Sequence, residues 1–526
     1  ACYGDFCRKE MASSAWMTLP VPISVLADSY KPSHYLQYPE CREMVAYGEF
    51  RAPFNGDKTD TRFVCHGMRY IVERYLLHKW TLEDLDMAEK FYATHNVGFQ
   101  SFPFPHDLFA KFIKENNGYF PIKLEILPEG TVANVRVPVY QITAKGDYAR
   151  LVTFFETIFT HVWYPSCVAT LSRRVKESVA HGFEKSVAPE RQFLLESRLH
   201  DFGFRGTTCV EQSIIGGVAH LINFTGSDTM SAAYYAQYVL NGGRPLATSL
   251  PATEHSVMTS WPTEAAAIRN MIQKFGGEGR IFACVMDSYD YNNALYNILP
   301  KVAEEMKKKG GVMVLRPDSG DPVEAILEAL KAGEQAFGAE VNSKGFKVLK
   351  GVAAIQGDGI NHEVVIKIIE AILAAGYSAC NVAYGMGGGL LQKVNRDTMS
   401  FATKLSFIRN ADGTERDIMK KPKTDMNKVS FPGALYVKRV NGVPTIFPKA
   451  ADDIIPAEEN MLQTVYDCGP IEGFKFDDFD VVRQRAEEQW KTTPRTYDPV
   501  SQELRDKIAA WVKDFDARFA DLMKSD

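Results

Sequence analysis

Residues 281–337 read IFACVMDSYDYNNALYNILPKVAEEMKKKGGVMVLRPDSGDPVEAILEALKAGEQAF, and the fold is decided there. The apolar, strand-like run IFACVM gives way to the polar cluster DSYD, after which apolar residues recur at the spacing of an amphipathic helix. The succession repeats at once as GVMVL, RPDSGDP and VEAILEALKAGEQAF. Towards the C-terminus, GVAAI leads through QGDG to HEVVIKIIEAILAAG, and NVAYGMGGG opens onto LLQKVNRD, read as a further helix. Towards the N-terminus, LESRLHDFGFRG precedes the helix-like EQSIIGGVAHLI, and RPLATSLPATEH supplies one more strand end. Repeated strand–helix units imply a parallel sheet, and their number predicts an α/β fold with a closed or nearly closed β/α barrel over residues 163–400.

The flanks read differently. FVCHGM, PIKLEILPEG and PVYQITAKG alternate with helical stretches over residues 11–162, which predicts an α+β domain. After residue 401 the β-rich GALYVKRVNGVPTIF returns, and a last helix is expected with Asp498 as its cap and Pro499 in its first turn. Residues 401–526 are expected to complete the first domain. The opening ACYGDFCRKEMASSAW does not resemble a secretory signal, and Met11 is a candidate start.

Composition narrows the class. The 526 residues are 45% hydrophobic and 24% charged, the balance of a globular chain with a large core. A formal net charge of -5 gives no bulk attraction for nucleic acid or an anionic membrane. No apolar run approaches the roughly 18 residues of a membrane span. Nine scattered cysteines without a CxxC pair suit a reducing cytoplasm.

In a β/α barrel the polar clusters converge at the C-terminal ends of the strands. Three successive glycines, Gly387, Gly388 and Gly389, let backbone amides approach a phosphate, although a plain tight turn is the alternative. Arg316 and Asp318 pair a guanidinium suited to oxyanions with a carboxylate suited to ribose hydroxyls or Mg2+. Asp287, Asp290, Gly357 and Asp358 repeat the theme, each acid alone reading equally as a helix cap. Glu254 precedes His255 and could fix its tautomer. Phe202 and Arg205 offer a stacking plane beside a guanidinium.

These strings occur in order with ADSYKPSHYLQYP, WYPSCVAT, FTGSDT and NSKGFKVL, and the chain so resembles the nicotinamide phosphoribosyltransferases, a family of type II phosphoribosyltransferases. The resemblance implies a pentosyltransferase of NAD salvage that makes nicotinamide mononucleotide and pyrophosphate from nicotinamide and phosphoribosyl pyrophosphate. It implies Mg2+, ATP as an activating co-substrate that phosphorylates His255, and a cytoplasmic homodimer with shared sites. Phe202 and Tyr30, the latter from the partner subunit, would sandwich the pyridine, and Asp228 would accept from the carboxamide. Arg205 and Arg316 would hold substrate and pyrophosphate, with Arg51, Lys404 and Lys420 from the partner. Asp287, Asp318 and Asp358 would address ribose and Mg2+, with Asp287 or Asp318 as candidate ligands, and Gly387, Gly388 and Arg396 the 5'-phosphate. Ala353, Met386 and Thr253 depart from the pattern of vertebrate members. Nicotinate transfer on the same architecture, a silent binding protein and a phosphosugar lyase are the alternatives; Asp228 speaks against the first, and no Schiff-base lysine stands out for the last.

Overall fold

The computed structural model describes residues 19–421 and 429–525, with side chains up to residue 518. Met11 and the residues before it lie outside the described residues. The chain divides into two compact units, one holding residues up to 167 with those from 395 onward, the other residues 168–394.

In the first unit Cys41–Phe50 is buried from Glu43 onward, with the apolar run Met44–Tyr47 lying between two buried carboxylates, Glu43 and Glu49. It pairs antiparallel with Phe401–Asn410 on one side and Pro138–Lys145 on the other, so both ends of the chain share one sheet. Lys123–Ile126 and Gln463–Asp467 extend one edge and Glu415–Asp417 the other. Trp80 stands in an aromatic cluster, its ring centroid 5.2 Å from those of Phe109 and Phe112 and 5.5 Å from that of Phe120. The hairpin of Ala434–Val440 and Val443–Lys449 turns on Asn441 and Gly442, whose φ values of 51° and 82° match a two-residue turn of type I′. The last helix runs Gln502–Ser525, later than the sequence suggests. Its cap is Ser501, which accepts the Leu504 N–H at 3.2 Å, while Asp498 accepts the Val500 N–H and pairs with Arg505.

A buried carboxylate ties this unit together. Glu129 accepts the N–H groups of Gly67 and Arg69, at 2.9 and 2.8 Å, at the start of the helix Met68–Ile71, and it also pairs with His66. Burial pushes its carboxyl up, but His66 and the two amides outweigh burial and hold it below the usual range. A carboxyl depressed on folding contributes stability above its unfolded value of about 4.3, lost as pH falls through the folded one. Glu129→Ala is therefore expected to lower stability by about 3 kcal/mol at pH 7, with the gap to wild type closing towards pH 3. Denaturant melts at the two pH values check this.

The second unit is a parallel sheet in the order Gly226–Ser227, Leu199–Asp201, Val382–Met386, Val352–Gln356, Val312–Arg316 and Ile281–Val285. Residues 248–253 join its two edges, since Thr248 bridges Gly226 and Ala252 bridges Ala283, both in parallel. The Thr253 hydroxyl also takes the Val285 N–H at 2.8 Å, a bond an alanine there would lose. The sheet thereby curls into an irregular seven-membered β/α ring. Ala283, Val314 and Ile355 form a core cluster with Ala353, Ala383 and Leu250 packed against it. Among the described residues no helix is long and apolar enough to cross a membrane.

Candidate active site

Seven segments end on one rim of the second unit: Asp201, Ser227, Thr253, Val285, Arg316, Gln356 and Met386 each precede a polar turn. Phe202 lies at the centre. Its ring rests on backbone, because a Cβ at Gly385 would lie 2.0 Å from Cε2, and one at Gly357 would lie 2.9 Å from the same atom. Both glycines serve close approach, as neither has a positive φ. The Arg316 guanidinium lies 5.2 Å from the ring centroid, within cation–π range.

From Arg316 the contacts run on. Its Nη2 donates to Asp318 Oδ1 at 3.2 Å, and His255 Nε2 lies 3.6 Å from Asp318 Oδ2. Asp287 Oδ2 accepts the Asp318 N–H at 2.8 Å and the Ser319 hydroxyl. His255 Nδ1 meets the Ser288 hydroxyl at 3.2 Å. Glu254 does not orient the imidazole: its carboxylate accepts from Ser256, and the partners of His255 come from two other strand ends. Asp290 and Asp321 are helix caps, accepting from the N–H groups of Asn293 and of Val323 and Glu324.

Asp287 Oδ1 and Arg316 Nε, like Gln356 Nε2 on the same rim, are buried without a hydrogen-bond partner among the described residues. An orphaned carboxylate oxygen beside a second carboxylate fits a hard divalent cation, and an orphaned guanidinium nitrogen fits an anion.

At the neighbouring strand end, Asp228 accepts the Ser249 hydroxyl at 2.7 Å, and His200 Nδ1 lies 3.8 Å from its Oδ1. Burial pushes the Asp228 carboxyl up, but His200, Ser249 and Arg316 outweigh it and hold it below the usual range. It is therefore charged at neutral pH. Ser249 was not singled out by sequence; its signal was its place inside the strand-end string RPLATSLPATEH.

The glycine loop opens a single turn, Gly388–Leu391, and not the helix expected over LLQKVNRD. The amides of Gly388 and Gly389 precede its first internal bond, from Leu390 to the Gly387 carbonyl at 3.0 Å. A Cβ at Gly389 would lie 2.4 Å from the Ile360 carbonyl oxygen, so this position also requires glycine. Arg205 and Asp358 are exposed on their loops.

Five expected residues belong to the first unit. Tyr30 is exposed beside Lys31 and His34. Burial pushes the Lys404 ammonium below its usual value, with Arg51 and Lys420 adding to the shift, so these three cations share one neighbourhood. Arg51 also donates to the Ser400 carbonyl at 2.9 Å. Arg396 is exposed, with Asp397 at 3.9 Å.

Comparison with known proteins identifies the family. Residues 197–470 match the nicotinate phosphoribosyltransferase (NAPRTase) family, and residues 22–124 match the N-terminal domain of nicotinamide phosphoribosyltransferase. The chain is 41% identical over 454 residues to a nicotinamide phosphoribosyltransferase of Xanthomonas campestris, covering 84% of this chain and 93% of that one. It is 28% identical to one from Acinetobacter baylyi, over 88% of this chain and 96% of that one. In fold it is similar to human nicotinic acid phosphoribosyltransferase, with a TM-score of 0.59 and 16% identity over 92% of this chain and all of the other. A nicotinate-nucleotide pyrophosphorylase from Pyrococcus furiosus gives 0.58 and 15%, over 91% of this chain and 98% of that one. With a family model matched over more than half its length and a close relative spanned almost entirely, the chain belongs to the nicotinate phosphoribosyltransferase family, among its nicotinamide phosphoribosyltransferases.

Proposed function

We propose that the chain transfers the phosphoribosyl group of phosphoribosyl pyrophosphate to the ring nitrogen of nicotinamide, releasing pyrophosphate, on the rim around Phe202. The observation that carries this reading is the aromatic ring seated on Gly385 and Gly357, with the Arg316–Asp318–Asp287 group beside it and a charged Asp228 at the neighbouring strand end. Phe202 supports one face of the pyridine and holds its nitrogen towards the ribose C1. Asp228 accepts from the carboxamide NH2. As pyrophosphate departs, negative charge grows on its oxygens and positive charge on C1, so a fixed guanidinium at Arg316 favours the transition state over the ground state. The carboxylates of Asp287 and Asp318 hold the ribose. The amides of Gly387, Gly388 and Gly389, with the Arg205 guanidinium, receive phosphate oxygens.

Asp287 and Asp318 would hold Mg2+, and the orphaned Asp287 oxygen supports that assignment. The cation, when bound, neutralises charge on the pyrophosphate. We also assign to ATP the phosphorylation of His255, in which an imidazole nitrogen takes the γ-phosphoryl group and ADP leaves. Support for this is the half-exposed ring beside Ser288 and Asp318. We also assign to a second copy of the chain the supply of Tyr30, Arg51, Lys404 and Lys420 of the partner subunit, which the resemblance supports; the three cations, which share one neighbourhood, suit an anionic ligand. The seven described cysteines are all unpaired, which supports a cytoplasmic setting.

Selectivity tests the reading. A carboxylate at position 228 would meet the carboxylate of nicotinate at close range, and like charges so placed cost several kcal/mol. Asp228→Ser is expected to lower the ratio of kcat/KM for nicotinamide over nicotinate by about 10²-fold. An unchanged ratio contradicts the role of Asp228.

A further inference from the structure

We infer that Asp201, a fully buried residue, is a positioning residue whose carboxylate fixes the turn that carries the stacking Phe202. The inference rests on the reading that the ring lies against Phe202 and Asp228. Asp201 ends the strand Leu199–Asp201 and is fully buried. Its Oδ1 accepts the Gly203 N–H at 2.7 Å, which fixes the turn that carries Phe202. Its backbone carbonyl accepts the Asp228 N–H at 3.0 Å, which fixes the start of the neighbouring loop. Phe202 is held from the other side, where its N–H donates to the Met386 carbonyl at 3.0 Å. One residue therefore joins the stacking plane to the amide acceptor.

The surroundings of the carboxylate argue that its place is specified. Oδ2 faces the Thr229 hydroxyl, and neither atom makes a hydrogen bond of standard geometry among the described residues. A Cβ at Gly217 would lie 3.1 Å from Oδ2 and 2.4 Å from the Ala232 Cβ, so the helix Val210–Leu221 closes over the carboxylate through a glycine. Burial pushes the Asp201 carboxyl up to about 6, with the Asp228 carboxylate adding to the shift and the Gly203 amide and Thr229 opposing it. A buried charge with one unsatisfied oxygen is costly, and packing alone would favour an apolar side chain of that volume. An acceptor for Gly203 is what an apolar residue lacks.

The test is steady-state kinetics of the full-length protein with each substrate varied in turn. Asp201→Ala is expected to raise KM for nicotinamide about tenfold, the worth of a hydrogen bond to a charged group, with KM for phosphoribosyl pyrophosphate unchanged. Asp201→Asn keeps an acceptor for Gly203 and can donate to Thr229, and it is expected to restore the wild-type value. Should the alanine variant not fold, Asp201→Leu keeps the volume without an acceptor and is expected to show the same selective rise. An unchanged nicotinamide KM, an equal rise for both substrates, or failure of asparagine to rescue overturns the assignment. A wild-type protein that forms no mononucleotide would overturn the reading of the site itself, which separates the two failures.

Discussion

Arg316→Ala is expected to lower kcat/KM by about 10²- to 10³-fold, the usual loss when one preorganised donor to developing negative charge is removed. The guanidinium is fixed before any ligand arrives. Asp318 holds Nη2, the face of Phe202 lies 5.2 Å from Cζ, and the position of a Cβ at Gly357 lies 3.6 Å from Nε. Among the described residues Nε has no hydrogen-bond partner and lies out of solvent, so an arriving anion loses no competing bond. Arg316→Lys should recover only part of the loss, because an ammonium cannot pair with Asp318 and an anion in the same fixed plane. Initial rates with both substrates varied decide the matter. A loss below about tenfold would show that charge develops elsewhere.

Gly385→Ala is expected to be comparably damaging through sterics alone. The added methyl would sit 2.0, 2.2 and 2.6 Å from Cε2, Cδ2 and Cζ of Phe202. The ring cannot settle towards Gly357, which it already meets, and Arg316 lies within cation–π range of the ring. Either Phe202 swings out or the strand Val382–Met386 shifts, and both remove the stacking plane. A fall of about 10²-fold in kcat/KM for nicotinamide is expected, as misplacement by about an ångström commonly costs that much. Overpacking of this kind costs about 1–3 kcal/mol in stability, so melting measured alongside separates misplacement from unfolding. Wild-type kinetics in this variant would remove Phe202 from the site.

The barrel strands Ile281–Val285, Val312–Arg316 and Val352–Gln356 were legible because each is a short apolar run bounded by a polar turn and followed by a helical segment. The closure of the ring was less so. Residues 248–253 join both edges through single bridges, and a segment with so few ladder bonds leaves no strand-length pattern. Acids at strand ends were legible as a set but not individually. Asp287 and Asp318 contact one another through backbone and serine, whereas Asp290 and Asp321 cap the helices that follow, and the same residue type at the same kind of place serves both ends. Adjacency misled at Glu254, because neighbouring side chains at a strand end diverge: the glutamate turns to Ser256 and the histidine to Ser288 and Asp318. The roles of Gly385 and Gly357 were invisible in the chain, since a close approach to Phe202 depends on three strands meeting in space. Asp201 was passed over for the same reason, being read only as part of the string around Phe202.

The most direct measurement offers the purified protein phosphoribosyl pyrophosphate and Mg2+ with equimolar nicotinamide and nicotinate, with and without ATP, and identifies the mononucleotide formed. Nicotinamide mononucleotide with equimolar pyrophosphate, formed faster in the presence of ATP, is the predicted result. Nicotinate mononucleotide as the main product, or neither nucleotide, would contradict the account.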